Sequence, residues 1–160
     1  MDFLAHYLWS YAIYFSRKRA ALIALVGVAP DAISFGPHLV YSLLSTGLQL
    51  GPPANIPDYV HVLYQLTHSL VIFLAAAGIA YAVTRRFPWI LGPWGIHILI
   101  DIPTHTEAFF PTPFLWPLSS YTVSGISWAA PWFMVANYAA LLAAFSYLVG
   151  RRYAQRKASL

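Results

Sequence analysis

A set of metal-ligand side chains stands four residues apart within an apolar stretch of this chain. The residues are His97, Asp101 and His105, and between 89 and 103 only His97 and Asp101 can ionise. Residues four apart lie on one face of a helix, so the three side chains point the same way until Pro103 bends the helix. Ionisable groups are costly to bury in apolar surroundings. The spacing therefore predicts a pre-aligned set of metal donors facing a polar pocket.

The composition predicts that lipid surrounds much of the chain. Hydrophobic residues make up 59% of the 160 residues, aromatic residues 17% and charged residues 9%, which is typical of a polytopic membrane protein with aromatic side chains at both interfaces. The nine Lys and Arg residues form three clusters: 17–19, 85–86 and 151–157. This grouping favours a cytoplasmic topology signal over a nucleic-acid patch, so we expect no nucleic-acid partner.

The apolar runs predict the fold class. In chain order they are 3–15, 20–50, 66–84, 87–103 and 128–149. Proline and glycine interrupt 20–50, which we interpret as a short span followed by an interfacial helix, and Pro88 and Pro93 predict a kink in the fourth run. We therefore predict one all-α domain over 1–160, a polytopic transmembrane helical bundle of about five membrane segments, some short or kinked, plus an interfacial helix.

This topology brings the buried ionisable side chains into one layer. With the basic clusters inside and a helical rise of about 1.5 Å per residue, five of them fall in the outer half of the membrane. These are His6, Asp31, His68, His97 and Asp101. Scattered structural histidines would have no reason to share a depth. We therefore predict a multi-pass protein of the inner (cytoplasmic) membrane, with one polar pocket that faces the extracytoplasmic side.

The predicted pocket offers only histidine and carboxylate donors, because the chain has no cysteine. The candidate metal ligands are His6, Asp31, His68, His97, Asp101 and His105. This set suits zinc, with manganese or iron as alternatives, and two ions bridged by a carboxylate are the usual arrangement for phosphoester hydrolysis. The hydroxyls of Thr67, Ser69 and Thr104 lie beside histidines in sequence. They either orient the imidazoles or bond back to their own helix.

Four motifs together carry a family resemblance over about residues 1–120. They are Gly27-Val28-Ala29-Pro30-Asp31, Thr67-His68-Ser69, His97-Ile98-Leu99-Ile100-Asp101 and Phe114-Leu115-Trp116-Pro117-Leu118-Ser119. The set resembles the family of inner-membrane-associated metal-dependent hydrolases that is known as LexA-binding. The LexA connection has no basis in the residues of this chain, so we do not carry it over.

The ligand order is also similar to that of the zinc-dependent phospholipase C and P1 nuclease group, a helical fold with a three-zinc site. The resemblance implies metal roles for the six candidate ligands, with His105 the least closely matched. Two departures reduce the expected number of ions. Where the family often has PDxD, this chain has Pro30-Asp31-Ala32-Ile33, and nothing after Glu107 supplies the later His and Glu pair of the phospholipase group. We therefore expect one or two ions.

Three further side chains are secondary candidates. Glu107 follows His105 in the predicted outer loop and is either a general base, an extra ligand or a solvated carboxylate. His38 and His61 fit solvated positions at the interface, although His61 shares a helix face with His68 if the helix extends that far. A substrate-lining role for Trp116 rests on the resemblance alone.

The sequence predicts a membrane-embedded metal-dependent hydrolase that acts on a phospholipid or another lipid-linked phosphoester. We assign catalytic roles to Asp31, His68, Asp101 and Glu107. The alternatives are a haem electron-transfer protein with His68 and His97 as axial ligands, a metal or proton transporter, and a membrane adaptor with a structural metal. The sequence does not indicate whether the protein is a monomer or an oligomer.

Overall fold

The computed structural model describes residues 1–47 and 56–158, and over this part the chain is all-helical. The helices are α1 Phe3–Ile13, α2 Ala20–Val26, α3 Ala29–Ser34, α4 Gly36–Thr46, α5 Asp58–Thr67, α6 Leu70–Thr84, α7 Gly92–Thr104 and α8 Pro131–Ala158. A 3₁₀ turn, Trp89–Leu91, leads into α7. The end of the apolar run 20–50 and most of the Pro-rich loop after it lie outside the described residues.

The prediction of a polytopic bundle with about five membrane segments is wrong. Among the described helices, α8 alone is long and apolar enough to cross a membrane, and α5 with α6 adds a second crossing only if this pair, bent by 54°, counts as one span. The helices α1 to α7 are 6 to 15 residues long. A transmembrane helix needs about 20 residues, so apolar composition was mistaken for helix length.

Breaks within the apolar runs account for the short helices. The run 20–50 divides after Gly27 and again before Gly36, where a new helix starts with Pro37 in its first turn. The run 66–84 is interrupted at Ser69, whose hydroxyl accepts a hydrogen bond from the Ile72 N–H at 3.2 Å and so begins α6. A continuous hydropathy profile does not register these caps.

The longest helix, α8, packs on α1 along one face and leaves the rest of its apolar surface uncovered. Ala5 and Leu141 are buried at this contact, and the Trp9 indole N–H donates to Asn137 Oδ1 at 2.9 Å. By contrast, Val135 and Leu142 are 71% and 70% exposed. Such a large apolar surface on one helix is typical of contact with lipid or a partner.

The helices α1, α7 and α8 run between two distinct ends of the molecule. At the first end, the N–H of Trp128, just before α8, donates to Thr104 O in the last turn of α7 at 3.0 Å. At the second end, the Tyr14 hydroxyl after α1 donates to Trp89 O before α7 at 3.1 Å, and Arg152 lies over the Phe15 ring. We call these the loop end and the basic end.

The segment between α7 and α8 folds back over the loop end. The Gly125 N–H donates to His105 O at 2.7 Å, and the Ile126 N–H donates to Pro103 O at 2.9 Å. A Cβ atom at Gly125 would lie 2.2 Å from Pro103 O, so the close approach requires glycine. The predicted outer loop is thus tied to the last turn of α7, which carries the ligand-type residues.

Candidate metal centre

Four of the predicted ligands meet in the interior of the protein. Asp31 comes from α3, His68 from the break between α5 and α6, and His97 and Asp101 from α7. One ligand atom from each lies within 4.8 Å of all the others. His68, His97 and Asp101 are fully buried and Asp31 is 4% exposed. This group, which we call the metal-ligand cluster, could hold a metal ion.

The distances in the metal-ligand cluster fit a small tetrahedral ion. His97 Nε2 lies 3.0 Å from His68 Nε2 and 3.1 Å from Asp101 Oδ2. Asp31 Oδ1 lies 3.3 Å from His68 Nε2 and 3.7 Å from His97 Nε2. Ligand atoms about 2.0–2.2 Å from one zinc ion would stand roughly 3.3–3.6 Å apart at the tetrahedral angle. The distances between these donor atoms are therefore close to those expected around one small ion.

Backbone carbonyls orient the two imidazoles. His97 Nδ1 lies 2.7 Å from Gly27 O, and His68 Nδ1 lies 3.2 Å from Tyr64 O. With the Nδ1–H groups donating to these carbonyls and Nε2 deprotonated, both Nε2 atoms would present lone pairs toward the two carboxylates. Metal-binding histidines are commonly held by such a bond from the second ring nitrogen.

Gly27 has a packing role in addition to its carbonyl contact. A Cβ atom at this position would lie 2.1 Å from Ser10 Oγ. The absence of a side chain therefore lets the end of α2 approach α1 closely and brings the Gly27 carbonyl within reach of His97. In the sequence, Gly27 is identified only as part of a motif, and neither this packing nor the contact with His97 is predicted from it.

The second oxygen of Asp101 faces a different set of groups. Its Oδ1 atom lies 3.0 Å from His6 Nε2, 3.4 Å from His105 Nε2 and 2.5 Å from the Met1 ammonium. The ring of His6 stacks on His97 with centroids 3.7 Å apart. His6 and His105, both predicted ligands, thus adjoin the metal-ligand cluster on the far side of Asp101 and do not join the other four around a single point.

The charges around the cluster keep both carboxylates ionised. Burial raises the pKa of Asp101, but the Met1 ammonium, His6 and His97 outweigh it and hold this pKa well below the usual range. Burial also raises the pKa of Asp31, yet a hydrogen bond with His68 and the charge of His97 lower it overall. Burial lowers the pKa of His6 to about 4, despite the opposing effect of Asp101. Burial lowers the pKa of His97, but Asp101 and Asp31 outweigh this effect and raise it. Because metals bind ionised carboxylates and neutral imidazoles, an ion bound at His97 would displace a proton.

Two residues that sequence reasoning missed support His105. The Phe110 carbonyl lies 2.7 Å from His105 Nδ1 and accepts a hydrogen bond from the Tyr64 hydroxyl at 2.9 Å. The Tyr64 ring also stacks on His68 at 3.8 Å. Phe110 has a φ of 47°, which is a strained value for a non-glycine residue. In this conformation its carbonyl points toward His105. A signal for Tyr64 was available, because it stands four residues before His68.

Of the three hydroxyls proposed to orient imidazoles, only that of Thr67 reaches its histidine. Thr67 Oγ1 lies 2.9 Å from His68 Nδ1 and also donates back to Leu63 O. The Ser69 hydroxyl donates to Trp116 O, and the Thr104 hydroxyl bonds back to Ile100 O. Thr67 therefore both contacts its histidine and bonds back to its own helix, the two roles that the sequence allowed.

The secondary candidates lie outside the metal-ligand cluster. Glu107 is exposed and, with His61, Tyr64 and Trp116, lines a cavity of about 510 Å³ at the loop end. We call this space the outer cavity. His38 is buried, and within the described part of the chain neither of its ring nitrogens forms a hydrogen bond.

Comparison of this chain with family models, curated proteins and solved structures finds no match. The resemblance to metal-dependent hydrolases that the sequence motifs indicate therefore stays a prediction.

Proposed function

We propose that this protein is a metal-dependent hydrolase that cleaves a phosphoester of a phospholipid or another lipid-linked substrate. The observation that carries the proposal is the meeting of two imidazoles and two carboxylates, buried and drawn from three parts of the chain, with all four ligand atoms within 4.8 Å. This donor set suits zinc, with manganese or iron as alternatives. A bound divalent cation would supply a hydroxide nucleophile at neutral pH and polarise the phosphoryl oxygen.

The spacing of the donors favours a small cation over haem. The Nε2 atoms of His68 and His97 are 3.0 Å apart, and Asp101 Oδ2 lies 3.5 Å and 3.1 Å from them. A porphyrin plane between these nitrogens would displace both imidazoles and the carboxylate. The haem alternative therefore has no support from the geometry.

The position of Asp101 favours a second ion. One oxygen faces the metal-ligand cluster, and the other lies 3.0 Å from His6 Nε2 and 3.4 Å from His105 Nε2. A carboxylate shared in this way could serve two ions. Asp101, His6 and His105 would hold the second ion, which would have to displace the Met1 ammonium that lies 2.5 Å from Asp101 Oδ1 and 3.1 Å from His105 Nε2.

The outer cavity is the route that we propose for the substrate. Tyr64 lines this cavity, and its hydroxyl lies 3.2 Å from His105 Nδ1, so the cavity wall adjoins the second set of donors. Trp116 offers an apolar surface to a lipid, and Glu107 offers a carboxylate within the same space. We assign Glu107 the role of general base or added ligand, which requires its side chain to turn inward.

The charge distribution gives the orientation that we propose. One helix, α8, could span a membrane, and its C-terminal part carries Arg151 and Arg152 at the basic end. Basic residues are retained on the cytoplasmic side of membranes. We therefore propose an inner (cytoplasmic) membrane location, with the loop end and the metal-ligand cluster on the extracytoplasmic side.

A structural metal is a second candidate function, and the burial of the cluster favours it. His68, His97 and Asp101 have no exposed surface, and four protein donors around one ion form a closed site of the kind that stabilises folds. In this case the ion would hold α3 and α7 together without turning over a substrate.

Metal content and hydrolysis, measured together, separate these functions. The full chain is purified in detergent, loaded with zinc, manganese or iron, and assayed by elemental mass spectrometry and with a short-chain phosphatidylcholine. We expect about one or two equivalents of metal and phosphoester cleavage. Asp101→Asn, which keeps the shape but loses the charge, should reduce cleavage on the order of 100-fold or more.

The matched control is His38→Gln against His97→Gln. Both remove a buried histidine, but only His97 belongs to the metal-ligand cluster. His38→Gln should keep metal and activity, whereas His97→Gln should lose both. Bound metal with no cleavage of any phosphoester would favour the structural role, and a folded protein that binds no metal would overturn both functions.

A further inference from the structure

The basic end of the molecule contains a cavity surrounded by cationic side chains. Its volume is about 590 Å³, and the cations that line it are Arg17, Lys18, Arg19, Arg151 and Arg152. They come from the turn between α1 and α2 and from the C-terminal part of α8. No Asp or Glu lines this space, and within the described part of the chain none of the five pairs with a carboxylate. Five like charges around one space create a strong field for an anion.

Aromatic rings hold two of the guanidinium groups at this end. Arg152 lies over the Phe15 ring at 5.7 Å, and Arg17 lies over the Trp89 ring at 5.7 Å. Stacking on a ring leaves the N–H groups at the edge of the guanidinium available to an acceptor. Neutral donors, including Gln155, also line this space, which we call the basic cavity. A phosphate group is the anion that such planar forks recognise best.

The surroundings of the basic cavity are apolar on the side toward the loop end. Leu148 lines the cavity, and the same helix continues with Leu142, 70% exposed. Tyr147 and Trp89 are 66% and 58% exposed at the boundary between the charged and the apolar surfaces. Tyr and Trp at such a boundary are typical of the membrane interface. A ligand that carries both a phosphate and hydrocarbon chains matches the two surfaces together, whereas a free anion or a nucleic acid matches only the first.

We propose that the basic cavity binds the phosphate headgroup of an anionic phospholipid, with the acyl chains along the exposed side chains of α8. This site lies at the opposite end of the molecule from the metal-ligand cluster, so it does not depend on the proposed hydrolase function. Each basic residue near an anionic lipid surface contributes to binding. Five of them in one cavity are enough to select an anionic headgroup.

Native mass spectrometry of the full chain in a neutral detergent tests the proposal. The protein is titrated with phosphatidylglycerol and with phosphatidylcholine of the same acyl chains. We expect tighter binding of phosphatidylglycerol, and the double variant Arg17→Gln with Arg152→Gln should weaken it on the order of tenfold or more. The double variant Arg85→Gln with Arg86→Gln removes the same charge from residues that do not line the basic cavity, and it should bind like the wild type.

The other outcomes overturn the proposal. Equal binding of the two lipids would remove the preference for an anionic headgroup, and equal weakening in both double variants would show nonspecific attraction. Displacement of the lipid by an equal concentration of inorganic phosphate would indicate a free-anion site, and tighter binding of an oligonucleotide would indicate nucleic acid. If the first double variant does not fold, Lys18→Gln with Arg151→Gln takes its place.

Discussion

At the scale of single residues, the buried imidazole of His6 makes the metal-free protein sensitive to acid. The pKa of His6 is about 4 in the folded protein, whereas an unfolded chain has a value near 6.5. A depressed pKa means that the stabilising contribution is complete above about pH 6.5 and is lost as the pH falls toward 4. The neutral ring, stacked on His97, is the form that the fold accepts.

We therefore expect the free energy of unfolding to decrease more in the wild type than in His6→Gln when the pH is lowered. Between pH 7 and pH 5 the extra loss should be about 2 kcal/mol, because the unfolded chain binds a proton that the folded chain excludes. Denaturant unfolding in the presence of a chelator measures it. Parallel pH profiles of the two proteins would contradict this role of His6.

Gly27 is the residue whose substitution should disturb the metal-ligand cluster without removing a ligand. In Gly27→Ala the new methyl group would meet Ser10 Oγ at 2.1 Å and shift the carbonyl that His97 Nδ1 contacts. We expect metal affinity to fall about 10- to 100-fold, as for other partners that orient ligands. Competition with a fluorescent zinc chelator measures this affinity.

The control is Gly78→Ala, because nothing lies within 4 Å of the added methyl group in α6. It should keep the wild-type affinity. Adding Ser10→Ala to Gly27→Ala removes the closest contact and should restore part of the affinity. No recovery would mean that the Gly27 carbonyl does not orient His97 through this packing.

At the scale of helices, the break between α5 and α6 presents His68 to the interior. The Ser69 hydroxyl caps α6 and donates to Trp116 O, and the Trp94 indole N–H donates to Thr67 O at 2.6 Å. The bonds at the Ile72 N–H and at Thr67 O satisfy backbone groups that a continuous helix would pair internally, and the bond to Trp116 O ties the break to the loop after α7. The two helices are therefore separated by a hydrogen-bonded break at this position.

We expect Ser69→Ala to lower stability by about 1–2 kcal/mol, because it removes a helix cap and takes the hydroxyl donor from the partly buried Trp116 carbonyl. Ser45→Ala is the matched control, since the exposed Ser45 hydroxyl donates to the Tyr41 and Ser42 carbonyls within α4. Thermal unfolding followed by circular dichroism measures both. Equal midpoints for the two variants would show that the cap does not hold the break.

At the scale of the whole molecule, a metal ion would join three separate parts of the chain. The ligands of the metal-ligand cluster come from α3, α7 and the break at His68, and two of them are buried carboxylates. Without a cation these charges depend on imidazoles and the Met1 ammonium for compensation.

Zinc at about 100 times its Kd should raise the free energy of unfolding by about 2.7 kcal/mol. EDTA should reverse the rise, because the ion binds only the folded arrangement. The shift should be absent in His97→Ala with Asp101→Ala. Scanning fluorimetry measures the melting temperature in each case. A shift that persists in the double variant would place the metal elsewhere in the protein.

The sequence by itself determined the helical class, the apolar helix α8 and four residues that could hold a metal ion. Helical spacing is local, so His97 and Asp101 at four residues apart share a face of α7 in any fold that keeps this helix. Asp31 and His68 were also identified, because charged or polar groups in apolar runs must find partners. The number of membrane segments was wrong, because hydropathy reports burial in any apolar setting and does not detect caps and breaks.

Only the tertiary structure decided how the donors are divided around Asp101. His68 and His97 face one of its oxygens and His6 and His105 face the other, a division that depends on the packing of α1 and of the loop after α7. The carbonyl partners at Gly27 and Phe110 were likewise invisible, since a main-chain oxygen has no sequence signature. Residue type determines which atoms can bind a metal, but long-range packing determines which of them share one point.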